Sequence, residues 1–179
     1  MINRVQYSPS FQKKLVAKVN LPSQSGVEKC SIYELDEGKK DARRLNKQTK
    51  KQDWQYIDQF IEVLNSKDGP FERTFNVKVF SLEDEKKNCL GLVKSLDLEN
   101  MKSIDCIEVN PNYRAGKTEA KVKNIAAALI TYLMKISDNK DFMVLRSVNY
   151  LTADEVPRSI ENNEQMIGSK IEIEGEKND

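Results

Sequence analysis

Between Phe75 and Val109 the chain carries three short runs of apolar residues at strand spacing, separated only by brief polar breaks. Nothing else in the sequence restricts the fold as tightly. Phe75–Leu82 alternates through Phe75, Val77 and Val79, and the charged stretch 83–87 makes a turn. Asn88–Leu98 holds Leu90, Leu92 and Val93, with Gly91 marking a bulge or a close backbone approach. Ser103–Val109 is the third run, stopped by Asn110-Pro111. Connections this short cannot cross over a sheet, so the three runs predict an antiparallel meander.

Helical periodicity flanks the meander. Downstream, Ile125, Leu129, Tyr132, Leu133 and Ile136 form one apolar stripe, and Ala126, Ala127 and Ala128 let its start approach other backbone closely. Phe142–Val148, FMVLRSV, is apolar nearly throughout and predicts a buried strand. Upstream, Trp54, Ile57, Phe60, Ile61 and Leu64 form a second stripe that ends at Gly69-Pro70, with Asp53 placed to cap its first turn. A strand is expected over Glu28–Leu35 through Cys30 and Ile32. The charged segment Gly38–Gln52 predicts a solvated helix or linker; a nucleic-acid patch would want aromatics interleaved, and there are none. Thr152–Asn163 predicts a short helix and Lys170–Ile173 a last strand.

Residues 1–25 are polar and broken by Pro9 and Pro22, which predicts an irregular lead-in. Residues 26–175 then form one domain, and 176–179 a frayed tail. The class is α+β: a central mixed, mostly antiparallel sheet of about six strands flanked by helices.

Several functions are excluded or disfavoured by what the chain lacks. It has no histidine, which removes Ser–His and Cys–His catalysis and most zinc sites, so no metal is expected. Its 29 basic and 28 acidic residues leave a formal charge of +1, without the basic excess that nucleic-acid binding asks for. Cys30, Cys89 and Cys106 lie far apart with no metal-ligand spacing, as reduced thiols of a cytoplasmic protein would. No run is long and apolar enough to predict a membrane span, and the N-terminus has no secretory pattern.

The order strand, helical region, meander, helix, buried strand, short helix, strand resembles the GNAT superfamily of acyl-CoA-dependent N-acyltransferases. The residues that carry the resemblance lie between Ile107 and Lys135. Val109-Asn110-Pro111 is similar to the family's V-x-P strand end, and 121–126, Lys-Val-Lys-Asn-Ile-Ala, follows its R/Q-x-x-G-x-G/A loop as K-x-x-N-x-A. Three departures stand beside this. Asn124 replaces the first glycine, the loop from Pro111 to Asn124 is longer than the family minimum, and the later A-x-x-F/Y-Y motif is missing.

The resemblance implies transfer of an acetyl group from acetyl-CoA, as co-substrate, to an amine acceptor. The physical basis of its loop needs no name: free N–H groups at a helix start, at the positive end of the dipole, can cradle a pyrophosphate. Lys121, Val122, Lys123, Asn124, Ile125 and Ala126 would form that cradle, with Lys117, Lys121 and Lys123 supplying positive charge. By the same resemblance Ile107, Glu108 and Val109 line the cleft, and Asn149 contacts CoA. Asp105 or Glu108 would be the general base; they face opposite ways on a regular strand, and a bulge would change which meets the cleft. Tyr150 could protonate the departing thiolate. Cys106 is expected to be a small buried hydrophobe. The alternative is a GNAT-like module without catalysis that acts by binding a protein partner, and pairing through an edge strand would allow a homodimer.

Overall fold

The structure, a computed structural model, describes residues 14–66, 69, 75–98, 101–114, 122–137, 141–144 and 172–173. Seven strands form one sheet in the order β6-β5-β4-β3-β2-β1-β7. In chain order the elements are β1 (Lys14–Ser23), β2 (Gly26–Glu34), α1 (Lys39–Thr49), α2 (Ile57–Asn65), β3 (Lys78–Asp84), β4 (Cys89–Leu98) and β5 (Met101–Val109). After a 3-10 turn at Pro111–Tyr113 come α3 (Ile125–Lys135), β6 (Asp141–Val144) and β7 (Glu172–Ile173). Neighbouring strands are antiparallel except β5 and β6, which are parallel and joined through α3. The fold is α+β, a mixed and mostly antiparallel sheet flanked by helices. Among the described residues, no helix is long and apolar enough to cross a membrane.

The meander is as the alternation requires: β3, β4 and β5 pair in sequence. One strand of the sheet was hidden in the expected lead-in. Lys14–Ser23 is not irregular but pairs along its length with β2. The alternation is present there, with Ala17, Val19 and Leu21 buried and Lys18 and Asn20 exposed. Two features mask it. Val16 sits at a register shift, so it and Ala17 are both buried, and Pro22 lies near the strand's end. Gly26, at φ 117°, closes the hairpin into β2 in a conformation that L side chains rarely adopt.

The sheet is covered on both faces, so its apolar residues divide between two cores. On one face α3 lays Ile125, Leu129 and Leu133 over Ile32, Phe80 and Val93. On the other, α1 and α2 place Leu45, Phe60 and Leu64 over Val79, Leu92 and Cys106. Adjacent Leu92 and Val93 serve opposite cores, as a pleated strand demands. The charged segment 38–52 becomes α1, with a buried edge of Ala42, Leu45 and Thr49. Asp41, 1% exposed, accepts from the Glu37 amide at 2.8 Å and pairs with Arg44.

The start of α2 differs from expectation. Its first helical residue is Ile57, preceded by Tyr56, and Asp53 is exposed and makes no cap. Trp54 is buried in the connector before the helix, where its indole N–H donates to Gln52 Oε1 at 2.7 Å. The helix expected at Thr152–Asn163 lies outside the described residues, as does half of the last expected strand, of which Glu172–Ile173 pairs with β1.

Candidate functional site

Two structures converge at the C-terminal end of β5. The first is the start of α3. A Cβ added at Gly91 would stand 2.6 Å from Ile125 Cγ2 and 3.3 Å from the Glu108 carbonyl oxygen. Only a glycine on β4 lets the first turn of α3 come this near the sheet, which is the close approach Gly91 predicted. The chain entering the helix is tied to the end of β1. Val122 is buried and bridges Ser23, and the Lys123 amide donates to the Pro22 carbonyl at 2.9 Å.

Asn124 precedes the helix at φ 61°, in the left-handed region where asparagine is among the better tolerated side chains. Its side chain does not cap its own helix, and Asn124 Nδ2 is buried without a hydrogen-bond partner among the described residues. Helix geometry gives the amides of Ile125, Ala126 and Ala127 no intrahelical acceptor; the first to find one is Ala128, which donates to Asn124 O at 3.0 Å. An unsatisfied side-chain donor beside three such amides is a donor set suited to an anion. Of the expected cradle, then, Asn124, Ile125 and Ala126 stand at the helix start. The Lys123 side chain is exposed while its amide is committed, Val122 is packed away, and Lys117 and Lys121 lie outside the described residues.

The second structure is the end of β5 itself. Among the described residues its parallel ladder with β6 covers Met101–Ile104, and β5 itself continues to Val109. Past Ile104 the register with β4 shifts: Lys94 opposes Cys106 and Ser95 opposes Ile104, leaving Asp105 as the extra residue of a β-bulge. Ile104, Ile107 and Val109 consequently pack toward α3, and Cys106 toward α1 and α2. Asp105 pairs with Lys94 Nζ at 2.5 Å and keeps 28% of its side chain exposed.

Glu108 is held quite differently. Its side chain is 2% exposed, and both oxygens are taken. Oε1 accepts from the Gln55 amide at 2.5 Å and from Arg114 Nη2 at 2.8 Å; Oε2 accepts from the Tyr56 amide at 3.0 Å. Arg114 Nε also donates to the Val109 carbonyl at 3.2 Å. Asn110 completes the tie, donating through Nδ2 to the Cys89 carbonyl at 2.7 Å and to Gln52 Oε1 at 3.0 Å. The connector between α1 and α2 is thus stitched to the end of β5.

Two groups on the α3 face, Cys30 and Tyr132, are kept neutral by burial. Desolvation pushes the Cys30 thiol up to about 12, with Glu28, Asp84 and Glu85 adding to it. Tyr132 packs edge-on against Phe80 with ring centroids 5.3 Å apart, and burial drives its phenol upward. Cys106 is buried in the α1/α2 core, in line with its expected packing role. A separate hollow of about 600 Å³ lies between the start of α1 and the end of α2, lined by both charge signs through Asp36, Glu37, Lys39 and Lys40.

Of the residues singled out from sequence, Asp105, Ile107, Glu108 and Val109 share the end of β5, and Asn124, Ile125 and Ala126 the start of α3; Asn149 and Tyr150 lie outside the described residues. Gln52, Asn110 and Arg114 were not anticipated. Their partners lie up to 58 residues away, and no local pattern announces such pairs. No family model and no curated protein sequence matches the chain. Among solved structures, a spermidine/spermine N-acetyltransferase, SpeG from Vibrio cholerae, is 19% identical over 76% of this chain and 77% of its own, with a TM-score of 0.43. L-PGS from Bacillus licheniformis is 15% identical over 84% of this chain and 52% of its own, with a TM-score of 0.27. Both are distant.

Proposed function

We propose that the protein is an N-acyltransferase that moves an acetyl group from acetyl-CoA to an amine. The observation that carries this reading is the start of α3, where the unsatisfied Asn124 Nδ2 and three amides without an intrahelical acceptor stand beside the end of β5. In a β-α-β unit, ligands favour the carboxyl end of the parallel strands, where a helix N-terminus meets them. The CoA pyrophosphate would rest on Asn124, Ile125 and Ala126, with Lys123 beside it, and the acyl arm would run toward Ile107 and Val109. Because β1 supplies the partner of β2, the working domain would include Lys14–Ser23. Three buried cysteines outside any disulfide fit a reducing, cytoplasmic setting.

The chemistry would be direct attack within a ternary complex. The amine nitrogen forms a bond to the thioester carbon, the C–S bond breaks, and CoA leaves as a thiolate that takes a proton from solvent. Asp105 is the better placed of the two β5 carboxylates to receive the amine proton, because it keeps solvent access while Glu108 does not. The choice of acceptor would fall to the α1–α2 region.

Calorimetric titration of the full chain with acetyl-CoA tests the reading. Micromolar binding that Asn124→Glu removes is the expected result, since a carboxylate there repels the phosphates. A wild-type protein that binds neither acetyl-CoA nor CoA overturns it and turns the search to protein partners.

A further inference from the structure

Glu108 has the position a general base would need and the surroundings of something else. A carboxylate that is to take a proton must present a lone pair to the substrate, either directly or through one water. Glu108 is closed off: three donors, two of them backbone amides, take three of its four acceptor sites, and its side chain is 2% exposed. The donors come from the connector that leads into α2 and from Arg114 beyond the end of β5.

Trp54 anchors the connector in the core, but the amides that lead into α2 have no local side-chain cap. Tyr56, at the α2 N-cap position, offers no side-chain cap, and Asp53, on the connector itself, is exposed. Backbone N–H groups left unpaired in a buried setting cost free energy, so the connector takes its acceptor from across the fold. The second tie, from Asn110 through Gln52 to the Trp54 indole, holds the same segment to the same strand end. Residues 52–56 therefore cannot shift without breaking hydrogen bonds to the residues that adjoin the proposed acyl site.

We propose that Glu108 is a positioning residue. With Arg114 it locks the Gln52–Tyr56 connector against the end of β5, and so sets the wall that the amine acceptor meets, without itself taking a proton. The proposal rests on the transferase reading for its acceptor, but the lock can be measured apart from it.

The test uses the full-length protein, Glu108→Gln and Arg114→Ala. The first substitution keeps the side chain's shape but turns one acceptor oxygen into a donor. Hydrogen exchange should accelerate by at least about tenfold at the Gln55 and Tyr56 amides in both variants, while β3 and β4 amides stay within about twofold. Acetyl-CoA affinity, read by calorimetry, should stay within about threefold of wild type. With n-butylamine as the probe acceptor, KM should rise by about tenfold or more, kcat should fall far less, and the pH dependence of kcat should keep its shape. Unchanged exchange at Gln55 and Tyr56 overturns the lock. A collapse of kcat with loss of its acid-limb pH dependence, at unchanged KM, overturns it too and makes Glu108 the base. Should wild-type protein fail to bind acetyl-CoA, the transferase reading and the acceptor wall fall together, while the exchange data still decide the lock.

Discussion

The two faces of the sheet are built on different principles. Under α3 the contact is apolar and close: Leu129 and Leu133 are fully buried, Ile125 presses on Gly91, and the titratable groups there, Cys30 and Tyr132, are held neutral by burial. Under α1 and α2 an apolar core also exists, but its rim is ionic and hydrogen-bonded, with Asp41, Glu108 and Asn110 all buried and all partnered. The first kind of contact is non-directional and tolerates small displacement. The second fixes register, because a buried charge-assisted hydrogen bond fails when its geometry fails. Position is thus specified most sharply where the α1–α2 connector meets β5.

Substitutions that act on one face at a time can break or sharpen this contrast. The largest effect is expected from Leu129→Ala, which opens a cavity in the α3 core and should cost about 2–5 kcal/mol in urea unfolding. Glu108→Ala strips the acceptor from two amides and a guanidinium; part of the Arg114 charge can turn to water, so about 2–4 kcal/mol is expected by the same measurement. If Glu108→Ala proves as mild as a surface change, the ionic rim does not anchor that face. Gly91→Ala should cost about 1–3 kcal/mol, because the new methyl meets Ile125 in a packed interface.

Alkaline pH probes the α3 face without a mutation. The Cys30 thiol lies near 9.0 when unfolded and about 12 when folded, so its contribution is complete below pH 9 and is lost as pH rises toward 12. By about pH 9.5 the loss should be about 1 kcal/mol, and Cys30→Ala should flatten that part of the stability curve. Smallest of all is Asp53→Ala, expected within about 0.5 kcal/mol because the side chain is exposed and caps nothing. A larger cost in thermal or urea unfolding would show that Asp53 caps α2 after all.

Much of this was legible in the residues. The 75–109 alternation placed three strands, the Ile125–Ile136 stripe placed α3 and its buried face, and Gly91 marked the close approach. Lys14–Ser23 was misread although it alternates, because a bulge at Val16 broke the period and Pro22 resembled a terminator. The start of α2 was misplaced for another reason: a local cap at Asp53 was sterically sensible, and a distant carboxylate replaced it.

The sequence by itself determined periodicity, and with it the elements and the faces they bury. Burial free energy depends on spacing along one chain, and spacing is written in the chain. Only the tertiary structure decided which carboxylate on β5 keeps solvent access. A one-residue bulge at Asp105 reset the strand's faces, and donors from more than fifty residues away closed around Glu108, leaving Asp105 paired with Lys94 yet open to solvent. Hydrogen bonds need partners at fixed distance and angle, and the partners of Glu108 come together only when α2 and β5 have already packed.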